Sequence, residues 1–276
     1  MTKTKTEVLY TDIPPTKLRN RKEKFRKARN SKFWTFIGDL FFFNMLQHRF
    51  FALRIKNEEV FNERNNNYPN IFYASHGNWW DGIVGYNLVR RVFDLKLRMM
   101  IEEMNRFPLF ARVGAFPVNK KSPQEAIKSL KYIVNDLNKP DMGLWIFPQG
   151  IIKPPNFRPI EFQTGMTYIA QNVAKKYGGI NLIPLAVNYV FLREDRPEVL
   201  VEVGDPIIIE AKDAKKDRHV LTAELQGKFT DLCDKQLSEI CHGTIDGYRY
   251  LFKQRLPWYK KIEKKLKNIG IKGSGI

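Results

Sequence analysis

Acidic residues are scarce in this sequence, cysteines are nearly absent, and long apolar runs are missing. Against 47 Lys plus Arg, the 276 residues include only 29 Asp plus Glu, a formal net charge of +18. A surface with that deficit attracts polyanions, whether nucleic acid, anionic lipid headgroups or acidic substrates. The two cysteines, Cys233 and Cys241, stand eight residues apart in a stretch of helical pattern. Their spacing fits neither a zinc nor a redox motif, so they are expected to be structural thiols in a reducing compartment. His48, His219 and His242 have no second ligand at metal spacing, and no metal is expected. No uncharged apolar run approaches the roughly 20 residues needed to cross a bilayer. No apolar segment follows the polar start of the chain, as a secretory signal would require. Together these absences predict a cytoplasmic protein that does not span a membrane. Internal repeats and low-complexity linkers are also missing.

What is present begins with charge and aromatics at the two ends. Residues 1–32 are polar and basic, with Lys17, Arg19, Arg21, Lys22, Lys24, Arg26, Lys27, Arg29 and Lys32 close together. Phe33 to Met45 then brings Trp34, Phe36, Ile37, Leu40, Phe41, Phe42 and Phe43, interrupted by Asp39. Aromatics behind a polybasic lead predict a helix lying in the lipid interface. The competing reading is a buried core helix behind a solvated basic leader. Tyr248 to Lys272 is again basic and aromatic. Charge weighted to both ends around a more balanced middle points to a surface patch, and no nucleic-acid partner is expected. The expected organisation is a membrane-docking segment over 1–50, a catalytic domain over 51–245 and a basic aromatic tail over 246–276. The docking surface would place the protein on the cytoplasmic face of the cell membrane, peripherally, against anionic lipids.

The middle alternates in the α/β manner. Strands are predicted at Asn70 to Ser75, Leu97 to Ile101, 113–118, Gly143 to Pro148, Asn181 to Tyr189, Leu200 to Val203 and Ile207 to Ile209. Helices are predicted at Asp81 to Phe93, from Ser122 to about Asn138, at Gly165 to Tyr177 and over 213–242. Ser122 with Glu125 three residues later has a capping-box pattern, and Gly178-Gly179 closes the next helix. Strands separated by helices imply a central, largely parallel sheet flanked by helices.

The chemistry is expected at His76-Gly-Asn-Trp-Trp-Asp81. Residues five apart on one helix point about 140° apart and cannot meet. Across a strand–loop–helix junction the chain folds back, so Asp81 can accept from one imidazole nitrogen and leave the other to take a proton from a hydroxyl. With no Ser or Cys nucleophile between the two residues, such a pair suits direct attack by a substrate hydroxyl on an activated acyl group. Gly77 permits close backbone approach. Alone, the pattern also fits a surface histidine beside a first-turn carboxylate.

Further blocks give the pair its context. Gly114-Ala-Phe-Pro-Val-Asn-Lys120, Phe147-Pro148-Gln149-Gly150-Ile151-Ile152-Lys153, Phe162-Gln-Thr-Gly165 and Leu182-Ile183-Pro184-Leu185 follow in order. In order and spacing the chain, from about residue 70 to 190, resembles the lysophospholipid (1-acylglycerol-3-phosphate) acyltransferase superfamily. The resemblance implies His76 as general base and Asp81 as its orienting carboxylate. It also implies an acyl thioester, acyl-CoA or acyl carrier protein, as co-substrate, with no other cofactor. Substrate contacts are expected at Gly114, Lys120, Phe147, Pro148, Gln149 and Gly150, with Trp79 walling an acyl or acceptor channel and Gly150 also serving a tight turn. Departures from the family pattern fall in the third block, where Gln149 replaces Glu and Ile151-Ile152-Lys153 replace Thr-Arg-Ser. Losing the guanidinium fork removes a bidentate phosphate ligand, although Lys120, Lys153 or Arg158 would still offer point charges. The expected acceptor is therefore a lysophospholipid or a glycolipid, the latter including a glycosylated terpenoid or carotenoid. A protein that binds membranes without catalysis is the alternative from another class.

Overall fold

The computed structural model describes residues 25–255, apart from 103, 105–106, 120–121, 155 and 193. Lys120, much of the basic leader and the distal part of the basic tail lie outside the described residues.

Among those residues, five helices and nine strands form an α/β sandwich. The strands are β1 (Ala52–Lys56), β2 (Asn70–Ala74), β3 (Lys96–Ile101), β4 (Ala115–Pro117), β5 (Met142–Ile146), β6 (Gly179–Val190), β7 (Glu198–Val203), β8 (Ile207–Glu210) and β9 (Arg249–Lys253). They share one sheet in the order β4-β3-β5-β2-β6-β7-β1-β9, with β8 paired to β6. Its central run, β4-β3-β5-β2-β6, is parallel throughout, and β1 runs parallel to β7. Antiparallel pairs join β6 to β7 and β8, and β1 to β9.

Alternation along the strands divides the core. Ile71, Tyr73, Leu144, Ile146 and Leu182 pack on one side with α3 (Pro123–Asp136), α4 (Gly165–Tyr177) and α5 (Arg218–Cys241). Phe72, Ala74, Trp145, Ile183 and Leu185 pack on the other with α1 (Lys32–Arg49) and α2 (Trp80–Asn87). Because both faces are covered, β2 and β5 are buried along their whole length and read as unbroken apolar runs.

The sequence signals for helix ends operate as expected. Ser122 Oγ accepts from the Glu125 N–H at 3.4 Å, and α4 ends at Gly178 with φ 93°. Asp217, which carries no apolar signal, caps α5 through the His219 and Val220 N–H groups. The last helix therefore starts at Arg218, later than its predicted start, after a short 3-10 turn at Asp213–Lys215. The helix expected to run to Phe93 widens instead: α2 ends at Asn87 and a π turn covers Leu88–Val92. Two strands, β1 and β9, are not foreshadowed by the pattern. β9 takes residues read as tail and adds them to the sheet edge.

The Phe33–Met45 stretch lies within α1, with one side buried and the other exposed. Thr35, Gly38, Phe42 and Leu46 are buried. Phe33, Phe36, Ile37, Leu40 and Phe41 are exposed at i, i+3, i+4, i+7 and i+8, a continuous apolar stripe. Asp39 turns inward, where its carboxylate takes hydrogen bonds from Tyr86 Oη at 2.8 Å and Arg90 Nη2 at 3.0 Å. No described helix is long and apolar enough to cross a membrane.

Candidate active site

The carboxyl ends of the parallel strands β2 and β5 converge, and the residues that follow them form the site, as in open α/β sheets generally. His76 lies two residues beyond β2, and Phe147 directly follows β5. His76 is held from three directions. Its N–H donates to Gln149 Oε1 at 2.9 Å, its carbonyl accepts from the Lys153 N–H at 2.8 Å, and its ring stacks on Phe147 at 4.0 Å with planes 5° apart.

Asp81, in the first turn of α2, is 2% exposed and closes the loop on itself. Its Oδ2 accepts from the Gly77 and Asn78 N–H groups, both at 2.7 Å, and lies 3.1 Å from His76 Nδ1. Its Oδ1 accepts from Tyr189 Oη at 2.5 Å. An ionised carboxylate only accepts, so the Nδ1 contact requires the proton on Nδ1. Nε2, across the ring, is then the basic nitrogen.

His76 lines a cavity of about 610 Å³, within the size range of small-molecule sites. Its walls are Phe42 of α1, Ile83 and Tyr86 of α2, Leu97 and Met99 of β3, Trp145 of β5 and Met166 of α4. The lining is mostly apolar, with Glu102 and Gln163 among its polar members, and the apolar part suits an alkyl chain. Trp145 fits beneath α2 because residue 85 is glycine: a Cβ there would lie 2.2 Å from Trp145 Cε2.

The other expected site residues fall into distinct groups. Trp79 is half exposed at the cavity lining, with Trp80 edge-on to it at 5.6 Å. Phe147, Pro148 and Gly150 line the same cavity. Gly150 adopts φ 71° and its N–H donates to Phe147 O at 3.1 Å, which is the tight turn expected of it. Gln149 is buried, with Oε1 engaged by the His76 backbone. Gly114 has φ 103°, and a Cβ on it would meet Leu97 O at 2.0 Å, so close backbone approach alone requires glycine there. Two of the candidate point charges are already matched: Lys153 Nζ pairs with Glu161 at 3.1 Å and Arg158 pairs with Asp234. Lys120 lies outside the described residues. Ile151 and Ile152 also line the cavity. Among the described residues, no cluster of His, Cys, Asp and Glu is arranged to hold a metal.

Two residues with no expected role in the motif blocks also support the pair, Tyr189 through its hydroxyl and Asn78 through its N–H. Tyr189 shares strand parity with Ile183, Leu185 and Val187, which face α2, so its side and its place near the end of β6 were available from alternation. Burial, reinforced by the adjacent Asp81 carboxylate, holds its phenol well above the usual range.

Residues 52–188 match the family model described as Acyltransferase. The matched segment runs from β1 nearly to the end of β6 and includes His76, Asp81 and Gln149; α1 and Tyr189 lie outside it. No curated protein matches the chain.

Proposed function

Because the chain belongs to the acyltransferase family of the lysophospholipid type, we propose that it moves a fatty acyl group from an acyl thioester to a lipid hydroxyl. The observation that carries this reading is the His76–Asp81 pair at the lining of a large apolar cavity. In the reaction, Nε2 of His76 takes the proton of the acceptor hydroxyl while its oxygen attacks the thioester carbonyl carbon. Asp81 keeps the Nδ1 tautomer and stabilises the imidazolium. As the tetrahedral intermediate collapses, the C–S bond breaks and the thiolate leaves with the proton held on His76. The products are an ester and a free thiol, CoA or the carrier-protein thiol. The cavity takes the acyl chain, and no metal or covalent enzyme intermediate is required.

The stripe on α1 supports action at a membrane surface. Exposed apolar positions at helical spacing on one side, with basic residues before them, match an interfacial helix. The protein then docks peripherally on anionic lipid at the cytoplasmic face.

A second reading of the acceptor has its own support. Ile151 and Ile152 line the cavity, and Lys153 and Arg158 are committed to Glu161 and Asp234. A phosphate would find no guanidinium fork in the third block, whereas a sugar hydroxyl needs none. This favours a glycolipid acceptor, such as a glycosylated terpenoid or carotenoid, over lysophosphatidic acid.

The test presents purified protein with palmitoyl-CoA and vesicles carrying either lysophosphatidic acid or a glycosylated terpenoid. Free thiol and esterified product are then measured together. Thiol release matched by ester on one acceptor supports the reading. Acylation of lysophosphatidic acid alone would remove the glycolipid alternative. Vesicle binding with no ester on a broad acceptor panel would favour a non-catalytic membrane protein.

A further inference from the structure

We propose that Tyr189 is a positioning residue of this site: its hydroxyl clamps Asp81 Oδ1, so that Oδ2 faces His76 Nδ1 and the ring presents Nε2 to the cavity. This deepens the general-base reading of His76 and rests on it.

The direction of the hydrogen bonds follows from the donors. The Asp81 carboxylate can only accept, so Tyr189 directs its O–H at Asp81 Oδ1, 2.5 Å away. The Trp80 N–H donates to Asn78 Oδ1 at 2.7 Å and holds the loop that carries the Asn78 N–H. Meanwhile Oδ2 holds Gly77, Asn78 and His76 on its side. A carboxylate fixed at both oxygens cannot rotate about its Cβ–Cγ bond, and that rotation is what would release the imidazole. Outer partners of this kind orient a histidine and its tautomer elsewhere in proteins.

The placement of Tyr189 agrees with this role. It follows Ile183, Leu185 and Val187 on the α2 side of β6, an aliphatic run that ends at the tyrosine. Its ring packs against Phe50 at 5.5 Å, so packing sets the ring and leaves the hydroxyl to reach the carboxylate.

The variant Tyr189→Phe keeps the ring and removes only the hydroxyl. With palmitoyl-CoA as donor and the acceptor that the parent protein uses, kcat is expected to fall by ~10-fold or more, with KM for palmitoyl-CoA changed less than about twofold. A second readout needs no substrate. In protein labelled with 15N-histidine, the His76 resonances, assigned by their loss in His76→Ala, are expected to report the Nδ1–H tautomer. Tyr189→Phe should shift them toward the Nε2–H tautomer. An unchanged tautomer in Tyr189→Phe overturns the proposal, even if activity falls with a lowered unfolding temperature, since that pattern marks a structural role. Unchanged kcat in a folded variant overturns it as well. Turnover retained by His76→Ala would instead overturn the general-base reading on which the proposal depends.

Discussion

Replacing Phe36 and Phe41 on the outer side of α1 by serine isolates the apolar part of the proposed membrane docking. These side chains are 66% and 54% exposed, so the fold gains little from them and their removal should leave stability within about 0.5 kcal/mol. Burying a phenylalanine fully is worth roughly 1.5–3 kcal/mol, and only the fraction still exposed can be gained on entering the interface. Scaled by exposure, the pair contributes roughly 2–3.5 kcal/mol, which is a loss of roughly 30–400-fold in the vesicle partition coefficient. Sedimentation with phosphatidylserine-containing vesicles at low and high salt measures it. Raising salt screens the basic residues and weakens binding of both proteins, but the ratio between them should persist because apolar burial is not screened. A double variant that binds within about twofold of the parent would refute the assignment of this face to the membrane. So would a deficit that disappears at high salt.

Three further outcomes follow from the site and core. Gly85→Ala forces a Cβ to within 2.2 Å of Trp145, which is 1% exposed, so it should cost roughly 1–3 kcal/mol in urea unfolding and reduce turnover of long acyl chains more than short ones. Asp81→Asn replaces one acceptor oxygen by a donor NH2, leaving either Tyr189 or the Gly77–Asn78 amides mismatched. It should slow turnover by ~100-fold or more and destabilise the fold by about 1–3 kcal/mol, read by initial rates and thermal unfolding. Alkaline pH should weaken the fold. Burial raises the Tyr73 and Tyr189 phenols and pushes the Cys233 thiol up to about 12. Folded pKa values above the unfolded ones give stability that is complete below pH ~8, under the unfolded thiol value, and is lost as pH rises past the unfolded values. By pH ~10.5 the loss is on the order of 3 kcal/mol, and equal urea midpoints at pH ~8 and ~10.5 would contradict it.

The parallel sheet was legible because its interior strands are short unbroken apolar runs and its helices carry explicit end signals. Ser122 with Glu125 and Gly178 mark real termini for that reason. β1 and β9 were not legible because they stand at the sheet margin, where polar residues such as Arg54, Lys56, Arg249 and Lys253 interrupt the apolar pattern. The His76–Asp81 loop could be located because a strand–loop–helix junction lets residues five apart meet. Its support could not, since Tyr189 lies over 100 residues away in sequence and reaches Asp81 only once β6 is placed beside β2. Gln149 illustrates the same limit. Its type suggested a ligand for the acceptor, and only the fold shows that its oxygen also anchors the His76 backbone. Charge at Lys153 and Arg158 was visible, but the partners that neutralise it, Glu161 and Asp234, were not.

The most direct test of the account is ester formation from palmitoyl-CoA by His76→Ala, on whichever acceptor the parent protein acylates, with folding and vesicle binding checked in parallel. The account predicts a loss of ~10²–10⁴-fold in turnover with vesicle binding unchanged. Turnover equal to the parent's in a folded His76→Ala variant would contradict it.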